Sequence, residues 1–214
     1  MSLDFELART SMVQQQVRPW DVLDPRVLDV LGVIKREDFV PPRYRRMAFA
    51  DMALPLEHGE VTMKPVVEGR MLQALELAPA DEVLEIGTGS GFITACLAQL
   101  ARDVVSIDIH AVFVERAQSM GIGNLRVAVA DALQYRPERR FDAIAVTGAV
   151  AAVPANFLSW LKPNGRLFVV RGHSPVQQAV LLRADAEGRI GEAGLFETDL
   201  PYLVGAEPMA RFAL

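Results

Sequence analysis

The chain has 214 residues, which is enough for one large domain and too few for two full ones. Its 22 lysine and arginine residues against 27 acidic ones give a net charge of -5, which argues against a protein that tracks nucleic-acid phosphates. A single cysteine, Cys96, excludes an internal disulfide and a cysteine-based metal cluster, and we find neither a membrane span nor a secretory signal. We therefore expect a cytoplasmic protein with no nucleic-acid partner, no membrane partner and no metal.

Residues 1–80 are predicted to be mostly helical, with breaks at prolines. Asp24 and Pro25 are typical of the first residues of one helix, and Pro65 is typical of the first residue of another. Residues 54–65 between these helices are too irregular for an ordinary connector, so we expect a functional loop there. The prediction is a helical N-terminal cap, residues 1–80, over a compact domain formed by residues 81–214.

From Val83 onward, β-rich runs alternate with helical patterns, which indicates an α/β fold with a mostly parallel sheet. After Gly172, two strand-like runs flank a turn at residues 185–188, which predicts an antiparallel hairpin at the sheet edge. The predicted strands cover residues 83–86, 104–109, 125–130, 143–147, 166–170, 179–183 and 190–198. The predicted helices cover residues 92–100, 112–120 and 156–161, and a turn at residues 163–165 closes the last one.

Three glycines, Gly87, Gly89 and Gly91, lie between a predicted strand and a predicted helix, where a ligand can contact the backbone. A dinucleotide site would need glycine at the next position, which is Phe92. Glu85 would repel a pyrophosphate, whereas it would attract the ammonium and sulfonium groups of S-adenosylmethionine. The pattern therefore predicts a pocket for S-adenosylmethionine, with a glycine-rich packing turn as the alternative.

Acidic residues follow the next two predicted strands at the same edge of the sheet. Asp108 is placed to bind the ribose hydroxyls and Asp131 to accept a hydrogen bond from the adenine amine, although either alone also fits a helix cap. Thr147 ends the fourth strand and fits an ordinary strand end equally well. The expected cofactor-binding set is Glu85, Gly87, Thr88, Gly89, Ser90, Gly91, Asp108, Ile109, Asp131, Ala132 and Thr147.

Four segments together resemble the protein L-isoaspartate O-methyltransferase family. They read REDFVP (residues 36–41), ADMALPL (50–56), VLEIGTGSGF (83–92) and FDAIAVT (141–147). The resemblance extends from about residue 12 to the end of the fifth strand. It implies the Rossmann-like fold of S-adenosylmethionine-dependent methyltransferases, S-adenosylhomocysteine as a product, and repair of damaged proteins through methylation of isoaspartyl carboxylates.

The segment at residues 59–65 departs from this family. The family reads Gly-Gln-Thr-Ile-Ser-Gln-Pro there, and this chain reads Gly-Glu-Val-Thr-Met-Lys-Pro. The resemblance assigns Gly59, Val61 and Met63 to a substrate loop, in which Val61 and Met63 replace the Thr and Ser that lie beside the methyl group and the substrate carboxylate in the family. Thr62 would supply one hydroxyl if the loop shifted by one residue.

The altered loop leaves the methyl acceptor open. A hydroxyl or amine acceptor would need a base, for which His58, Glu60 and Glu57 are candidates, so the predicted catalytic residues are Thr62, His58 and Glu60. His58 also fits an ordinary loop histidine. The alternatives are a protein or peptide acceptor, a small-molecule acceptor, and a non-catalytic protein that binds S-adenosylmethionine, in each case as a monomer or homodimer.

Overall fold

A single sheet organises the molecule, for which a computed structural model describes residues 4–209. The strands are β1 (Glu82–Ile86), β2 (Asp103–Asp108), β3 (Leu125–Val129), β4 (Phe141–Val150), β5 (Leu161–His173), β6 (Val176–Ala184) and β7 (Ile190–Thr198). Their order is β3-β2-β1-β4-β5-β6-β7. The first five are parallel and the last two pair antiparallel, which confirms the predicted α/β fold with an antiparallel edge hairpin.

Helices precede the sheet and connect its parallel strands. The α-helices are α1 (Phe5–Ser11), α2 (Pro25–Val33), α3 (Pro65–Leu75), α4 (Phe92–Leu100), α5 (Ala111–Ser119) and α6 (Ala155–Ser159). A π-helix covers Met12–Val17, and short 3-10 helices cover Arg18–Trp20, Arg36–Asp38, Pro42–Met47 and Glu57–Gly59. Asp24 caps α2 through a hydrogen bond from Arg26 N–H, and Pro65 begins α3, as predicted.

The two faces of the sheet bury separate apolar clusters because successive strand residues point to opposite sides. On β1, Val83 belongs to one cluster and Leu84 to the other. The first cluster also contains Leu31 of α2, Leu72 of α3 and Leu97 of α4. The N-terminal helices therefore cover the same face of the sheet as α4, and the boundary near residue 80 stays a prediction.

Several predicted element ends are wrong by one or more residues. β2 and β3 each end one residue early, which leaves Ile109 and Ala130 outside the strands. The larger error is at β5, which begins at Leu161, so the predicted turn at residues 163–165 lies inside the strand. There the register with β4 shifts between Phe141 and Ala143, since a turn sequence is accommodated as a bulge instead of ending the strand.

No helix within residues 4–209 is long and apolar enough to cross a bilayer.

Candidate functional site

The glycine loop, residues 87–91, connects β1 to α4. Gly87, Gly89 and Gly91 have φ angles of +96°, +51° and +86°, a region that residues with a Cβ atom enter at a cost. At Gly87 a Cβ atom would also lie 2.2 Å from Thr147 Oγ1. The loop therefore presents bare backbone at the end of β1, as the sequence predicts.

Asp108 lies beside this loop at the end of β2. Its Oδ2 accepts a hydrogen bond from Gly89 N–H at 2.9 Å, and its Oδ1 accepts one from His110 N–H at 2.9 Å. These bonds fix the carboxylate and leave a lone pair on each oxygen for ligand hydroxyls. The position suits a ribose-binding residue, and that role stays a prediction.

The larger cavity, about 760 Å³, lies at the carboxyl ends of β1, β2 and β4, where ligands bind in sheets of this kind. The predicted residues that line it are Glu60, Val61, Gly87, Gly89, Asp108, Ile109, Asp131, Ala132 and Thr147. The residues that sequence reasoning missed are Ile86, Ile107, His110, Phe113, Ala130, Leu133, Gly148, Pro201, Tyr202, Leu203 and Val204. Most of the missed residues are neighbours of predicted ones, and the strand-end pattern alone would have found them.

The C-terminal segment, residues 199–206, is the part of this wall that no local pattern indicates. Ala149 N–H donates to the Pro201 carbonyl at 2.8 Å, and Leu203 N–H donates to the Ala149 carbonyl at 2.8 Å. A Cβ atom at Gly148 would lie 2.8 Å from Leu203 Cδ2. Backbone pairing with β4 thus holds the C-terminal segment against the larger cavity.

Asp131 lines the larger cavity and is partly committed to its own loop. Its Oδ1 accepts from Leu133 N–H at 2.9 Å, and its Oδ2 accepts from Gln134 Nε2 at 2.8 Å. Each oxygen keeps a lone pair, so the carboxylate can still accept from an adenine amine. That role stays a prediction.

Glu85 does not meet a ligand charge as the sequence interpretation expected. It is fully buried and lines neither cavity. Its Oε2 accepts from Thr94 Oγ1 at 2.6 Å and from Ser106 Oγ at 2.5 Å, and its Oε1 has no partner among the described residues. Burial raises the pKa of Glu85 to about 8, so the side chain is a largely neutral anchor between β1, β2 and α4.

The smaller cavity, about 310 Å³, adjoins the larger one, because both are lined by Val61, Gly87, Gly89 and Thr147. Its other lining residues are Thr62, Met63, Glu68, Thr88, Ser90 and Ile93. Gly91 lines neither cavity and acts as the N-cap residue of α4.

The substrate loop, residues 59–65, lies beside the smaller cavity. Thr62 N–H donates to the Leu54 carbonyl at 2.9 Å, and Leu54 N–H donates to Thr62 Oγ1 at 3.0 Å. Val61, Thr62 and Met63 all line the smaller cavity. Gly59 lies outside both cavities.

A buried ion pair that sequence reasoning missed supports this loop. Arg36 is paired with Glu68, and their side chains are 1% and 3% exposed. Arg36 Nε donates to the Ala48 carbonyl at 2.9 Å, and Nη2 donates to the Met63 carbonyl at 2.9 Å. Burial raises the pKa of Glu68, and the Arg36 charge opposes that rise. Glu68 lines the smaller cavity and Arg36 does not.

His58 is not among the residues that line either cavity. It is exposed, has φ +59°, and stacks on His110 with 4.2 Å between ring centroids. Glu60 lines the larger cavity, and its Oε1 lies 3.5 Å from His110 Nε2. The geometry does not favour His58 as a base, and both catalytic roles stay predictions. Among the described residues, no three His, Cys, Asp or Glu side chains converge as a metal site requires.

Comparison with known proteins assigns the chain to a family. The family model for protein-L-isoaspartate(D-aspartate) O-methyltransferase matches residues 8–198. The chain belongs to this family.

Individual relatives agree with that assignment. A protein-L-isoaspartate O-methyltransferase of Koribacter versatilis is 34% identical over 206 residues, which covers 94% of this chain and 92% of the relative. One of Synechococcus sp. is 39% identical over 176 residues, or 80% of this chain and 72% of the relative. The resemblance drawn from the sequence is confirmed, and with it the assignment of the protein as a methyltransferase that uses S-adenosylmethionine.

Two solved structures that carry this family's name have the same fold as this chain at low sequence identity. A Plasmodium falciparum protein, described as a putative protein-L-isoaspartate O-methyltransferase in complex with S-adenosyl-L-homocysteine, has a TM-score of 0.79, 18% identity, and coverage of 91% of this chain and 97% of its own. A second structure, titled protein-L-isoaspartate O-methyltransferase, has a TM-score of 0.76, 23% identity, and coverage of 91% and 65%. They confirm the methyltransferase fold.

Proposed function

We propose that this member of the protein-L-isoaspartate O-methyltransferase family methylates the free carboxylate of isoaspartyl residues in damaged proteins or peptides. One observation carries the proposal: the two cavities meet at Val61, Gly87, Gly89 and Thr147. A donor in the larger cavity and an acceptor in the smaller one would then face each other across the glycine loop. Such an arrangement is what an in-line displacement requires.

The proposed reaction requires the protein mainly to position the donor and the acceptor. S-adenosylmethionine supplies an electrophilic methyl group on a sulfonium. A carboxylate oxygen of the acceptor forms the new C–O bond while the C–S bond breaks, which leaves S-adenosylhomocysteine and a neutral methyl ester. An acceptor carboxylate is already ionised at neutral pH, so the reaction needs no base. The absence of His58 from the lining of both cavities is compatible with that chemistry.

The residues of the larger cavity would bind the donor. Asp108 would accept from the ribose hydroxyls and Asp131 from the adenine amine, while residues 201–204 would cover the ligand. Glu85 and Thr88 would hold the glycine loop in place from inside the fold. Thr88 Oγ1 lies 2.6 Å from Ser106 Oγ, and Ser106 Oγ donates to Glu85.

The proposal is tested with a peptide that contains one isoaspartyl residue and an otherwise identical peptide that contains aspartate. We expect methyl ester formation from labelled S-adenosylmethionine with the first peptide and none with the second. If calorimetry shows normal binding of S-adenosylhomocysteine and neither peptide is esterified, the acceptor assignment is wrong while the methyltransferase assignment stands.

A small-molecule acceptor is the second candidate. It is favoured by Glu68, which lines the smaller cavity and whose carboxylate would accept from a hydroxyl or amine. The same assay discriminates between the two candidates, because turnover of the isoaspartyl peptide with a micromolar KM, in the ordinary range for enzymes, would leave no need for another acceptor.

We also propose that the protein is cytoplasmic, is a monomer or homodimer, and does not act on nucleic acid. The net charge of -5 supports the last point. Light scattering of the purified protein would establish its oligomeric state.

A further inference from the structure

Four hydroxyl side chains line the smaller cavity, and two of them have already used their proton. The single proton of Thr147 Oγ1 is shared between the carbonyls of Ile86 at 3.0 Å and Gly87 at 2.6 Å. Thr88 is bonded to Ser106, and since the Ser106 proton goes to Glu85, the Thr88 proton must go to Ser106. Thr88 and Thr147 therefore cannot donate to a ligand without breaking an internal bond.

The other two hydroxyls, those of Thr62 and Ser90, act only as acceptors. Thr62 Oγ1 accepts from Leu54 N–H at 3.0 Å and has a longer contact of 3.5 Å with Arg36 Nη2. Ser90 Oγ accepts from Phe92 N–H at 3.3 Å. Neither hydroxyl donates to any acceptor within residues 4–209. Each carries one proton, so the smaller cavity offers two hydroxyl protons that lack a protein partner.

We propose that the hydroxyls of Thr62 and Ser90 donate hydrogen bonds to the acceptor carboxylate and position it for methyl transfer. The inference rests on the proposed function and deepens it. Thr62 of the substrate loop follows Val61, and Ser90 of the glycine loop follows Gly89, two of the residues that line both cavities. The pair would replace the two hydroxyls that Val61 and Met63 lack.

The charges around the cavity suit this arrangement. Within residues 4–209, Glu68 is the only charged residue in its lining, and a carboxylate there would repel an anionic acceptor if it stood alone. The buried pair with Arg36 cancels that charge. Arg36 itself stays outside the lining, so the acceptor meets neutral hydroxyl dipoles and no free cation.

Neutral donors also suit the direction of the reaction. The acceptor begins as an anion and ends as a neutral ester, so its negative charge decreases toward the transition state. A cation bound to the carboxylate would stabilise the starting state more than the transition state and would slow the step. Two neutral hydroxyl donors orient the carboxylate and stabilise the starting state less than a cation would.

The test compares Thr62→Val, Thr62→Ser and Ser90→Ala with the wild-type protein on the isoaspartyl peptide. Valine preserves the shape of threonine without its hydroxyl, whereas serine preserves the hydroxyl. We expect Thr62→Val and Ser90→Ala each to raise the peptide KM by about tenfold or more, because each removes a hydrogen bond to a charged group. Thr62→Ser should remain close to wild type, as should the control Ser159→Ala, whose hydroxyl donates to the Asn156 carbonyl on the exposed side of α6.

Calorimetry with S-adenosylhomocysteine separates acceptor binding from donor binding. We expect Thr62→Val and Ser90→Ala to bind this product with unchanged affinity. If the wild type esterifies the peptide and either variant keeps the wild-type KM, the inference is overturned. A rise in KM at Ser90→Ala that is matched by an equal loss of product affinity would also overturn it, since Ser90 would then serve the donor. If Thr62→Val does not fold, the peptide KM and the product affinity of Ser90→Ala test the inference by themselves. If the wild type forms no ester, the proposed function fails and the inference fails with it.

Discussion

Glu85 is the residue whose burial differs most from the role that the sequence motif predicts, which is contact with the cofactor. Strand alternation places Val83 and Glu85 on the face of β1 that α4 covers, so the carboxyl group meets Thr94 and Ser106 and no ligand. Its raised pKa follows from that burial, since the two hydroxyl bonds offset only part of the lost hydration. The folded protein therefore retains a proton that the unfolded chain releases.

This difference predicts a pH-dependent stability that Glu85→Gln removes. The pKa of Glu85 rises from 4.5 to about 8 on folding, so its stabilising contribution is complete below pH 4.5 and is lost as the pH rises through about 8. Relative to Glu85→Gln, the free energy of unfolding of the wild type should fall by about 1.4 kcal/mol per pH unit within this window. Urea titrations of both proteins from pH 5 to pH 9 measure it, and parallel profiles would contradict the prediction.

The sequence predicts which residues belong to the site better than it predicts what each one contacts. Gly87, Asp108 and Thr147 lie where the strand-end pattern puts them, because that pattern depends only on the local order of strand, loop and helix. The contacts of Glu85, and the pairing of Arg36 with Glu68, depend on which helix covers which face. Sequence spacing contains no such information for residues 32 positions apart.

At the scale of elements, three segments build the site: the glycine loop, the substrate loop and the C-terminal segment. The glycine loop was predictable since its conformation is local. The substrate loop stays a prediction, and composition does not indicate the pairing of Thr62 with Leu54 that holds it. The C-terminal segment was missed because it reaches β4 through tertiary pairing alone.

Gly87→Ala tests whether the backbone of the glycine loop determines donor affinity. The new Cβ atom would meet Thr147 Oγ1 and would require a φ of +96° from alanine. Because the left-handed conformation alone costs about 1–2 kcal/mol, we expect calorimetry to show at least about a tenfold loss of S-adenosylhomocysteine affinity.

Gly123→Ala is the matched control for that experiment. A Cβ atom at Gly123 meets nothing within 4 Å, and its φ is not positive, so affinity should stay at the wild-type level. A folded Gly87→Ala protein that binds as tightly as Gly123→Ala would show that the loop tolerates a side chain.

At the scale of the molecule, the larger cavity is assembled from segments far apart in the sequence. β1 and β2 provide its base, and residues 201–204 provide its cover. The fold class followed from alternating strands and helices, but the order of strands in the sheet did not, since periodicity does not say which strands are neighbours. The cover over the cavity depends on that order, because the C-terminal segment pairs with the central strand β4.

Ligand binding should therefore stabilise the whole domain. At a concentration 100 times its Kd, S-adenosylhomocysteine should add about 2.7 kcal/mol to the free energy of unfolding. For a chain of this size that corresponds to a rise in Tm of about 5–10 °C. Thermal unfolding with and without the ligand measures the shift, and the same concentration should shift Gly87→Ala less. Equal shifts in the two proteins would indicate binding elsewhere.

The attachment of the C-terminal segment to β4 has a consequence for the newly made chain. The glycine loop and Asp108 leave the ribosome about 100 residues before Pro201 does, so a partly synthesised domain has the floor of the donor cavity and no cover. We expect a chain that lacks residues 201–204 to bind the donor more weakly than the full chain does. We therefore expect the sheet to fold during translation through apolar packing, with the cofactor stabilising mainly the chain that includes this cover.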